Sequence, residues 1–376
     1  MPEAIFKLMS DCGQSIWLDY ISRSLIDTGR LKDLIASGLR GMTSNPTIFD
    51  NAVSKSSDYD ASIRRLRVAN KSTIEIYDEI TVGDIRDAAD AFARVYDETG
   101  GVDGYVSLEI DPRMANDAAA TIEEGRRLHH RVARPNVMFK VPATDAGYTA
   151  VSALVSESIN VNITLIFSVE QYTRAADAYL GGIELLLKRG GDARSVRSVA
   201  SVFVSRVDTL VDKLIEEKVQ NVEVKDKRGS GELAWLKGRA AIANSVIVYD
   251  KFRNIFSSEK FRKLEKNGCN LQRIVWGSTS TKNPEYSDIK YVTELIGPDT
   301  VNTIPQQTLD AFIDHGSARQ SLPGDVEYAE KVLDDLARAG VGIDEACIRL
   351  LADGVTAFQR SFDSLLRAIE QKAAAL

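Results

Sequence analysis

Cysteine and histidine are scarce in this sequence, whose 376 residues include three of each. Cys12, Cys269 and Cys347 lie far apart and form no CxxC pair, which argues against a disulfide framework or a zinc ribbon. His129 and His130 are adjacent in a polar helical pattern and do not have the spacing of metal ligands. We therefore expect reduced structural thiols, as in a cytoplasmic protein, and no bound metal.

Long apolar runs and clusters of basic residues are also missing. No segment has the length of a membrane span, and the N-terminal segment is too charged and its apolar part too short for a signal peptide. The net charge of −7 disfavours a nucleic-acid-binding surface. Because 44% of the residues are hydrophobic, we expect an ordinary globular protein that binds neither nucleic acid nor membranes.

The sequence does contain a regular alternation of short β-branched segments and amphipathic helical segments. Eight strands are predicted, at residues 15–20, 39–43, 104–110, 136–141, 161–167, 196–203, 273–277 and 300–304. Helices are predicted at residues 22–37, 58–67, 83–96, 116–133, 147–158, 168–188, 207–217, 233–256, 289–295 and 308–315. Eight strands separated by helices suggest a parallel sheet that closes into a (β/α)8 barrel. An open doubly wound sheet is the competing fold, but no GxGxxG motif follows a strand to support its dinucleotide-binding form.

Two regions lie outside this repeat. Residues 218–231 are polar, with a charged centre and a GSG end, and they predict a surface loop. Residues 324–376 have helical periodicity almost throughout. The chain length allows two average domains or one large barrel. Because no linker is visible, we expect one domain over residues 1–376, with 324–376 as a helical extension packed on the barrel.

One lysine stands in an unusual position, Lys140 in the segment NVMFKVPAT at 136–144. Its apolar neighbours indicate a fully buried strand that ends at Pro142. A charged amine there is costly to desolvate unless it is paired or neutral, and a neutral amine is a nucleophile that forms Schiff bases with carbonyl groups. The alternative is a lysine that extends to the rim and pairs with a carboxylate. This segment alone does not separate the two interpretations.

Polar residues recur at the carboxyl ends of the predicted strands, where βα barrels carry their active sites. They are Asp19, Thr43, Asn45, Glu109, Asn162, Thr164, Ser201, Arg206 and Lys282. The apolar Phe203 lies between Ser201 and Arg206 and belongs to the same cluster. Each has a plainer explanation as a helix cap, a turn residue, a filler of the barrel or a surface charge. Their convergence with Lys140 on one barrel mouth favours a functional site.

A Schiff-base reaction would give several of these residues separate roles. It needs an amine, an acid or base that dehydrates the carbinolamine, and a second one for the sugar hydroxyl whose proton leaves on C–C cleavage. Lys140 fits the first role and Asp19 the third. Glu109 fits the second role, with Thr164 able to hold a water that relays protons.

The remaining residues fit substrate binding. The hydroxyl groups of a three-carbon ketose fragment can hydrogen-bond to the polar side chains Thr43, Asn45, Asn162 and Ser201. Arg206, together with Lys282, offers positive charge for a phosphate group despite the acidic overall balance.

At these positions the sequence resembles the transaldolases, over nearly its whole length. The motifs are LDY at 18–20, GMTSNPTIF at 41–49, SLE at 107–109, MFKVPAT at 138–144, NVNITLIF at 160–167 and SVASVFVSRVD at 198–208. Further on, WGSTSTKNP at 276–284 and YVTEL at 291–295 resemble the longer-chain bacterial branch. The resemblance implies a (β/α)8 barrel of class I aldolase type with a Schiff base on Lys140. It also implies no metal or organic cofactor, because the protonated imine is the electron sink.

The resemblance implies a reaction as well. A dihydroxyacetone unit would pass from sedoheptulose 7-phosphate to glyceraldehyde 3-phosphate, giving erythrose 4-phosphate and fructose 6-phosphate, in the non-oxidative pentose phosphate pathway. Family members that release free dihydroxyacetone lack the Glu at the Glu109 position and carry Tyr where Phe203 stands, so this chain favours transfer. The shorter members place an Arg after strand seven, where this chain has Thr281 and Lys282. The phosphate role of Lys282 is therefore open.

Two other functions compete with this interpretation. The first is a fructose 6-phosphate aldolase, which would form product without an acceptor aldose. The second is a non-catalytic barrel that binds sugar phosphates, and the presence of Lys140, Glu109 and Asp19 together argues against it. The surface pattern does not distinguish a monomer from a homodimer.

Overall fold

Eight parallel strands form a closed barrel in the computed structural model of this chain, which describes residues 3–221 and 233–375. The strands are β1 (Gln14–Asp19), β2 (Gly41–Thr43), β3 (Tyr105–Glu109), β4 (Val137–Pro142), β5 (Val161–Ile166), β6 (Ser198–Phe203), β7 (Arg273–Gly277) and β8 (Thr300–Ile304). Each strand pairs with the next along the chain, and β8 pairs with β1. The predicted (β/α)8 barrel is therefore confirmed, and the open doubly wound sheet is excluded.

Helices surround the barrel between successive strands. In chain order they are α1 (Glu3–Cys12), α2 (Arg23–Asp27), α3 (Arg30–Ala36), α4 (Pro46–Lys55), α5 (Asp60–Val68), α6 (Thr73–Glu98), α7 (Ala118–Val132), α8 (Asp145–Val155), α9 (Val169–Lys188), α10 (Ser205–Asn221), α11 (Ala240–Phe256), α12 (Glu259–Glu265), α13 (Lys290–Thr293), α14 (Gln306–His315), α15 (Val326–Arg338) and α16 (Ile343–Ala375). Within residues 3–221 and 233–375, no helix combines the length and apolar character that a membrane span requires.

The predicted strands end within two residues of the observed ones, whereas several predicted helix bounds are wrong. The helix predicted at 22–37 is interrupted at Gly29, whose φ of 80° favours glycine. The helix predicted from residue 83 begins at Thr73 instead, because Ser72 and Glu75 form a capping box that fixes its start. The prediction also lacks α1, α4 and α12.

The segment predicted as a loop at 218–231 is helical as far as Asn221, since α10 continues to that residue. The remainder of the predicted loop, 222–231, lies outside the described residues. The helix predicted at 233–256 has its regular part from Ala240, after a turn over 236–239. Amphipathic periodicity therefore located the helices but not their ends.

Alternate residues of each strand face the inside of the barrel, and in its middle these residues are mainly large and apolar. They are Trp17, Tyr105, Met138, Val199, Val275 and Val301. Gly41 of β2 makes room for this packing, because a Cβ atom at its position would lie 2.6 Å from the Trp17 ring. The barrel is thus a filled core rather than a pore.

At the amino end of the barrel, a buried ion pair ties several strands together. Arg273 Nη1 lies 2.9 Å from Asp103 Oδ1, and Nη2 donates to Ser15 Oγ and to the Thr300 carbonyl. Asp103 also accepts hydrogen bonds from Ser15 Oγ and Trp17 Nε1. The pair therefore joins β1, β7 and β8 to the residues that lead into β3.

Two helices, α15 and α16, follow the barrel. Helix α15 packs on α11, and α16 contacts α4, α5, α6, α10 and β5. Helix α16 therefore contacts elements that follow β2 and β6, which places this helix over the carboxyl-end face. That residues 1–376 form a single domain stays a prediction.

We expect Asp103→Ala to lower the free energy of unfolding by about 3 kcal/mol, because it leaves Arg273 buried and unpaired. Urea unfolding monitored by circular dichroism at pH 7 measures the change. Glu98→Ala is the control, since its ion pair with Arg94 is exposed on α6 and contributes little. Equal stability of the two variants would contradict the role of the Asp103–Arg273 pair.

Candidate active site

Lys140 lies on β4 with its side chain inside the barrel, near the carboxyl end. It is only 4% exposed, and its Nζ is 2.9 Å from Glu109 Oε2 and 3.0 Å from the Ser44 carbonyl oxygen, to which it donates. The register of β3 and β4 sets Glu109 directly beside Lys140. Lys140 therefore pairs with a carboxylate, as the plainer interpretation required, but it does so in the barrel and not at an exposed rim.

Glu109 is the buried acid of this pair. Burial raises the pKa of Glu109, the positive charge of Lys140 opposes that rise, and the charge of Asp19 adds to it. Apart from the ion pair, neither carboxylate oxygen has a hydrogen-bond partner of regular geometry among the described residues. A carboxyl group with a raised pKa, placed against an amine, can donate a proton near neutral pH.

Asp19 ends β1 on the wall of the cavity described below. Its Oδ1 accepts a hydrogen bond of 2.8 Å from Thr43 Oγ1, and Thr43 in turn contacts Thr303 Oγ1 at 2.7 Å. Burial raises the pKa of Asp19, while the charges of Lys140 and Arg206 act in the opposite direction. Asp19 is therefore a second carboxyl group poised for proton transfer, held in place by neighbouring strands.

Strand β5 contains a bulge on the side that pairs with β6. Its register against β6 shifts between Ile163 and Ile166, and Leu165 has a φ of 60°, a strained conformation for a branched residue. The preceding residue, Thr164, has a buried hydroxyl group without a hydrogen-bond partner among the described residues. Strain of this kind persists where the surroundings enforce it. The Thr164 hydroxyl is therefore free to bind a water or a substrate hydroxyl.

Asn162 and Ser201 lie on β5 and β6 and are linked to each other. Ser201 Oγ donates to Asn162 Oδ1 at 2.6 Å, and Asn162 Nδ2 donates to Ser107 Oγ at 3.1 Å. Ser201 lines the cavity, whereas Asn162 is fully buried behind it. The structure thus brings Ser201 to the site directly and Asn162 through Ser201.

The two predicted phosphate-binding cations line the same cavity. The Arg206 guanidinium carbon lies 5.4 Å from the centre of the Phe203 ring, and Lys282 Nζ donates to Ser280 Oγ at 2.6 Å. Burial lowers the pKa of Arg206, against the opposing charge of Asp19. Among the described residues, no carboxylate forms an ion pair with either cation, so both are available to an anionic ligand.

A cavity of about 490 Å³ opens at the carboxyl ends of the strands. Of the predicted site residues, its wall contains Asp19, Thr43, Asn45, Lys140, Thr164, Ser201, Phe203, Arg206 and Lys282. Glu109 lies behind Lys140, and Asn162 lies behind Ser201. Asn45 also caps α4, because its Oδ1 accepts a hydrogen bond from the Ile48 amide. The predicted set is therefore one spatial cluster around one cavity.

Other residues of the wall are not in the sequence-based prediction. They include Thr47, Ile48, Asn51, Thr303, Pro305 and Phe358. Thr303 stands near the carboxyl end of β8, and the strand-end rule could have identified it. Phe358 belongs to α16, where its spacing is that of any apolar helix residue, so nothing in the sequence sets it apart.

The side chains of residues 3–221 and 233–375 do not form a metal-binding site. No group of three His, Cys, Asp or Glu side chains there is arranged to hold an ion. The three cysteines are buried and unpaired, and burial raises the pKa of Cys347 to about 12. The site's ionisable groups are therefore one amine, two carboxyl groups and two further cations.

Comparison with known proteins places these residues in a family. A family model described as transaldolase/fructose-6-phosphate aldolase matches residues 16–369. The transaldolase of Trichodesmium erythraeum is 43% identical over 367 residues, which cover 97% of this chain and 96% of that protein. The transaldolase of Saccharopolyspora erythraea is 43% identical, over 97% of this chain and 97% of that protein. The transaldolase of Thermobifida fusca is also 43% identical, over 98% of each chain.

We expect Asp19→Asn to stabilise the fold more at pH 7.5 than at pH 4. A carboxyl group whose folded-state pKa is raised loses stability as pH rises from its unfolded-state pKa through the folded one. The asparagine variant avoids that loss, so its melting temperature should exceed that of the unmodified protein by about 2 °C at pH 7.5. The difference should shrink towards pH 4. Thermal melting followed by circular dichroism measures both, and a difference that does not change with pH would contradict the prediction.

Proposed function

The chain belongs to the transaldolase/fructose-6-phosphate aldolase family and is a transaldolase, and from this premise we propose how its side chains carry out the transfer. One observation carries the proposal. The Lys140 amine opens onto a cavity of about 490 Å³, backed by Glu109 at 2.9 Å. That amine is where a ketose carbonyl would be attacked.

Schiff-base formation is the first step. The Lys140 amine adds to the C2 ketone of sedoheptulose 7-phosphate, and the resulting carbinolamine loses its hydroxyl group as water. Glu109 supplies the proton for this loss, and the Thr164 hydroxyl holds the water that relays it. The raised pKa of Glu109 supports this role, because it keeps a proton on the acid to a higher pH.

Cleavage and transfer follow. Asp19 takes the proton of the C4 hydroxyl, the C3–C4 bond breaks, and its electron pair moves towards the protonated imine. Erythrose 4-phosphate leaves, and the three-carbon unit stays on Lys140 as a carbanion. Glyceraldehyde 3-phosphate then adds to that carbon, Asp19 returns its proton to the new hydroxyl, and hydrolysis frees fructose 6-phosphate and the Lys140 amine.

Substrate binding uses the rest of the cavity wall. Asn45, Thr43 and Ser201 bind sugar hydroxyl groups, with Ser201 oriented by Asn162. Arg206 and Lys282 bind the phosphate group, which is supported by the absence of a carboxylate partner for either cation in the described part of the chain. Substrates of the sugar-phosphate class fit a wall with two free cations.

Transfer is favoured over release of free dihydroxyacetone. Glu109 is present, and residue 203 is Phe, so one wall of the cavity near Arg206 is apolar rather than phenolic. A transferase has to protect its carbanion from protons, and an apolar ring excludes water better than a phenol. A cytoplasmic location, and a monomer or a homodimer without nucleic-acid or membrane partners, stay predictions.

Borohydride trapping tests the proposal. Reduction in the presence of fructose 6-phosphate should leave a dihydroxyacetone adduct on Lys140, identified by peptide mass spectrometry. The adduct should disappear when erythrose 4-phosphate is added, because the acceptor removes the three-carbon unit before reduction.

Two variants separate the steps in this experiment. Lys140→Ala should give no adduct. Asp19→Ala should still form the Schiff base but trap the uncleaved six-carbon sugar, with turnover reduced by about 10²–10⁴-fold. Trapping that survives in Lys140→Ala would remove this residue as the nucleophile, and full turnover in Asp19→Ala would contradict its role in cleavage.

A further inference from the structure

Helix α16 forms a fixed wall over the catalytic cavity. Along its length, Cys347 Sγ donates to the Phe167 carbonyl at 3.3 Å, Ser361 Oγ lies 2.8 Å from Thr47 Oγ1, and Lys372 Nζ reaches Asp60 Oδ1 at 2.5 Å. Its contacts thus extend from the end of β5 to α4 and α5. Contacts near both ends and in the middle therefore hold this helix in position beside the site.

Phe358 is the residue that α16 places in the cavity. It is 4% exposed, it belongs to the cavity wall, and its ring centre lies 5.8 Å from Lys140 Nζ. No other aromatic ring of the described residues lies within cation–π distance of this amine. The ring therefore occupies space next to the nitrogen that would carry the three-carbon unit.

The helix backbone also comes close to the catalytic strands one turn before Phe358. A Cβ atom at Gly354 would lie 2.9 Å from Leu165 Cδ2 and 3.7 Å from Arg206 Nη1. Leu165 is the strained residue of the β5 bulge that follows Thr164. The absence of a side chain at Gly354 thus allows α16 to pack against the bulge, and this close packing places the Phe358 ring beside Lys140.

The carbanion on Lys140 has two possible fates. It can attack the aldehyde carbon of an acceptor, which forms a C–C bond and completes the transfer. It can instead take a proton at C3; water then adds to C2, the C–N bond breaks, and dihydroxyacetone leaves. This second path consumes the water released on Schiff-base formation, so fructose 6-phosphate divides into dihydroxyacetone and glyceraldehyde 3-phosphate.

We infer that Phe358 is a specificity-determining residue that selects the first fate. Its apolar ring keeps water from the space beside the Lys140 nitrogen, which slows protonation of the carbanion, the step that only the second fate contains. The inference rests on the proposed function. In this inference, helix α16 helps to decide whether the protein acts as a transferase or as an aldolase. Phe203 on β6 contributes to the same selectivity.

The test measures the ratio of two rates with fructose 6-phosphate as donor. One is the rate of dihydroxyacetone release without an acceptor, and the other is the rate of transfer to erythrose 4-phosphate. We expect Phe358→Ala to raise this ratio by about tenfold, because the missing ring admits water. Phe358→Val should also raise the ratio, and this variant replaces Phe358→Ala in the test if the alanine variant does not fold. In Phe358→Met the ratio should stay near that of the unmodified protein.

Phe362→Ala is the matched control. Phe362 lies one turn further along α16 and is also buried, at 1% exposed. It packs against Tyr77 and below the Arg113 guanidinium, outside the cavity wall. Its removal weakens the packing of the same helix without opening the site. We expect its ratio to stay within about twofold of the unmodified protein.

Borohydride trapping on the same samples separates the two proposals. An adduct on Lys140 with an unchanged ratio in Phe358→Ala and Phe358→Val would overturn this inference alone. An equal rise in Phe358→Ala and Phe362→Ala would also overturn it, since general loosening of α16 would then explain the change. Absence of any Lys140 adduct in the unmodified protein would overturn the proposed function together with this inference.

Discussion

The contact between Lys140 and Glu109 is the constraint around which the barrel mouth is organised. Two charged groups, 5% and 4% exposed at their side chains, lie 2.9 Å apart on neighbouring strands. A buried pair seldom stabilises a fold relative to apolar residues of the same size, because both groups lose their hydration. Three features destabilise the folded state at one place. They are this pair, the strained bulge at Leu165 and the burial that raises the pKa values of Asp19 and Glu109. Such concentration is typical of a site kept for its chemistry.

Stability and chemistry are separated along the barrel axis. The amino end holds the Asp103–Arg273 pair, the middle an apolar filling, and the carboxyl end the catalytic groups. Both terminal nitrogens of the Arg273 guanidinium have partners, in Asp103, Ser15 and the Thr300 carbonyl. At the other end, Thr164, Arg206 and Lys282 keep hydrogen-bonding capacity that no side chain of the described residues uses. The barrel therefore has a closed end and an open, reactive one.

The barrel and most of its site are predictable from the sequence because both depend on short-range patterns. Period-two alternation and strand-end positions identify Lys140, Glu109 and Asp19, which three separate strands bring together. Helix ends are less predictable from periodicity, although the capping box of Ser72 and Glu75 is a pattern that the sequence contains. Phe358 could not be found, because only the packing of a helix from far along the chain places it beside Lys140. Asn162 shows a related limit, since a strand position does not reveal whether a side chain lines the cavity or supports one that does.

The most direct test of the central claim is a crystal structure of the protein reduced with borohydride in the presence of fructose 6-phosphate. We predict continuous density from Lys140 Nζ to C2 of a three-carbon unit, with the Glu109 carboxyl group within hydrogen-bond distance of that nitrogen. The Phe358 ring should pack beside the adduct. An adduct on a different lysine, or a three-carbon unit on Lys140 that extends out of the cavity, would contradict the account.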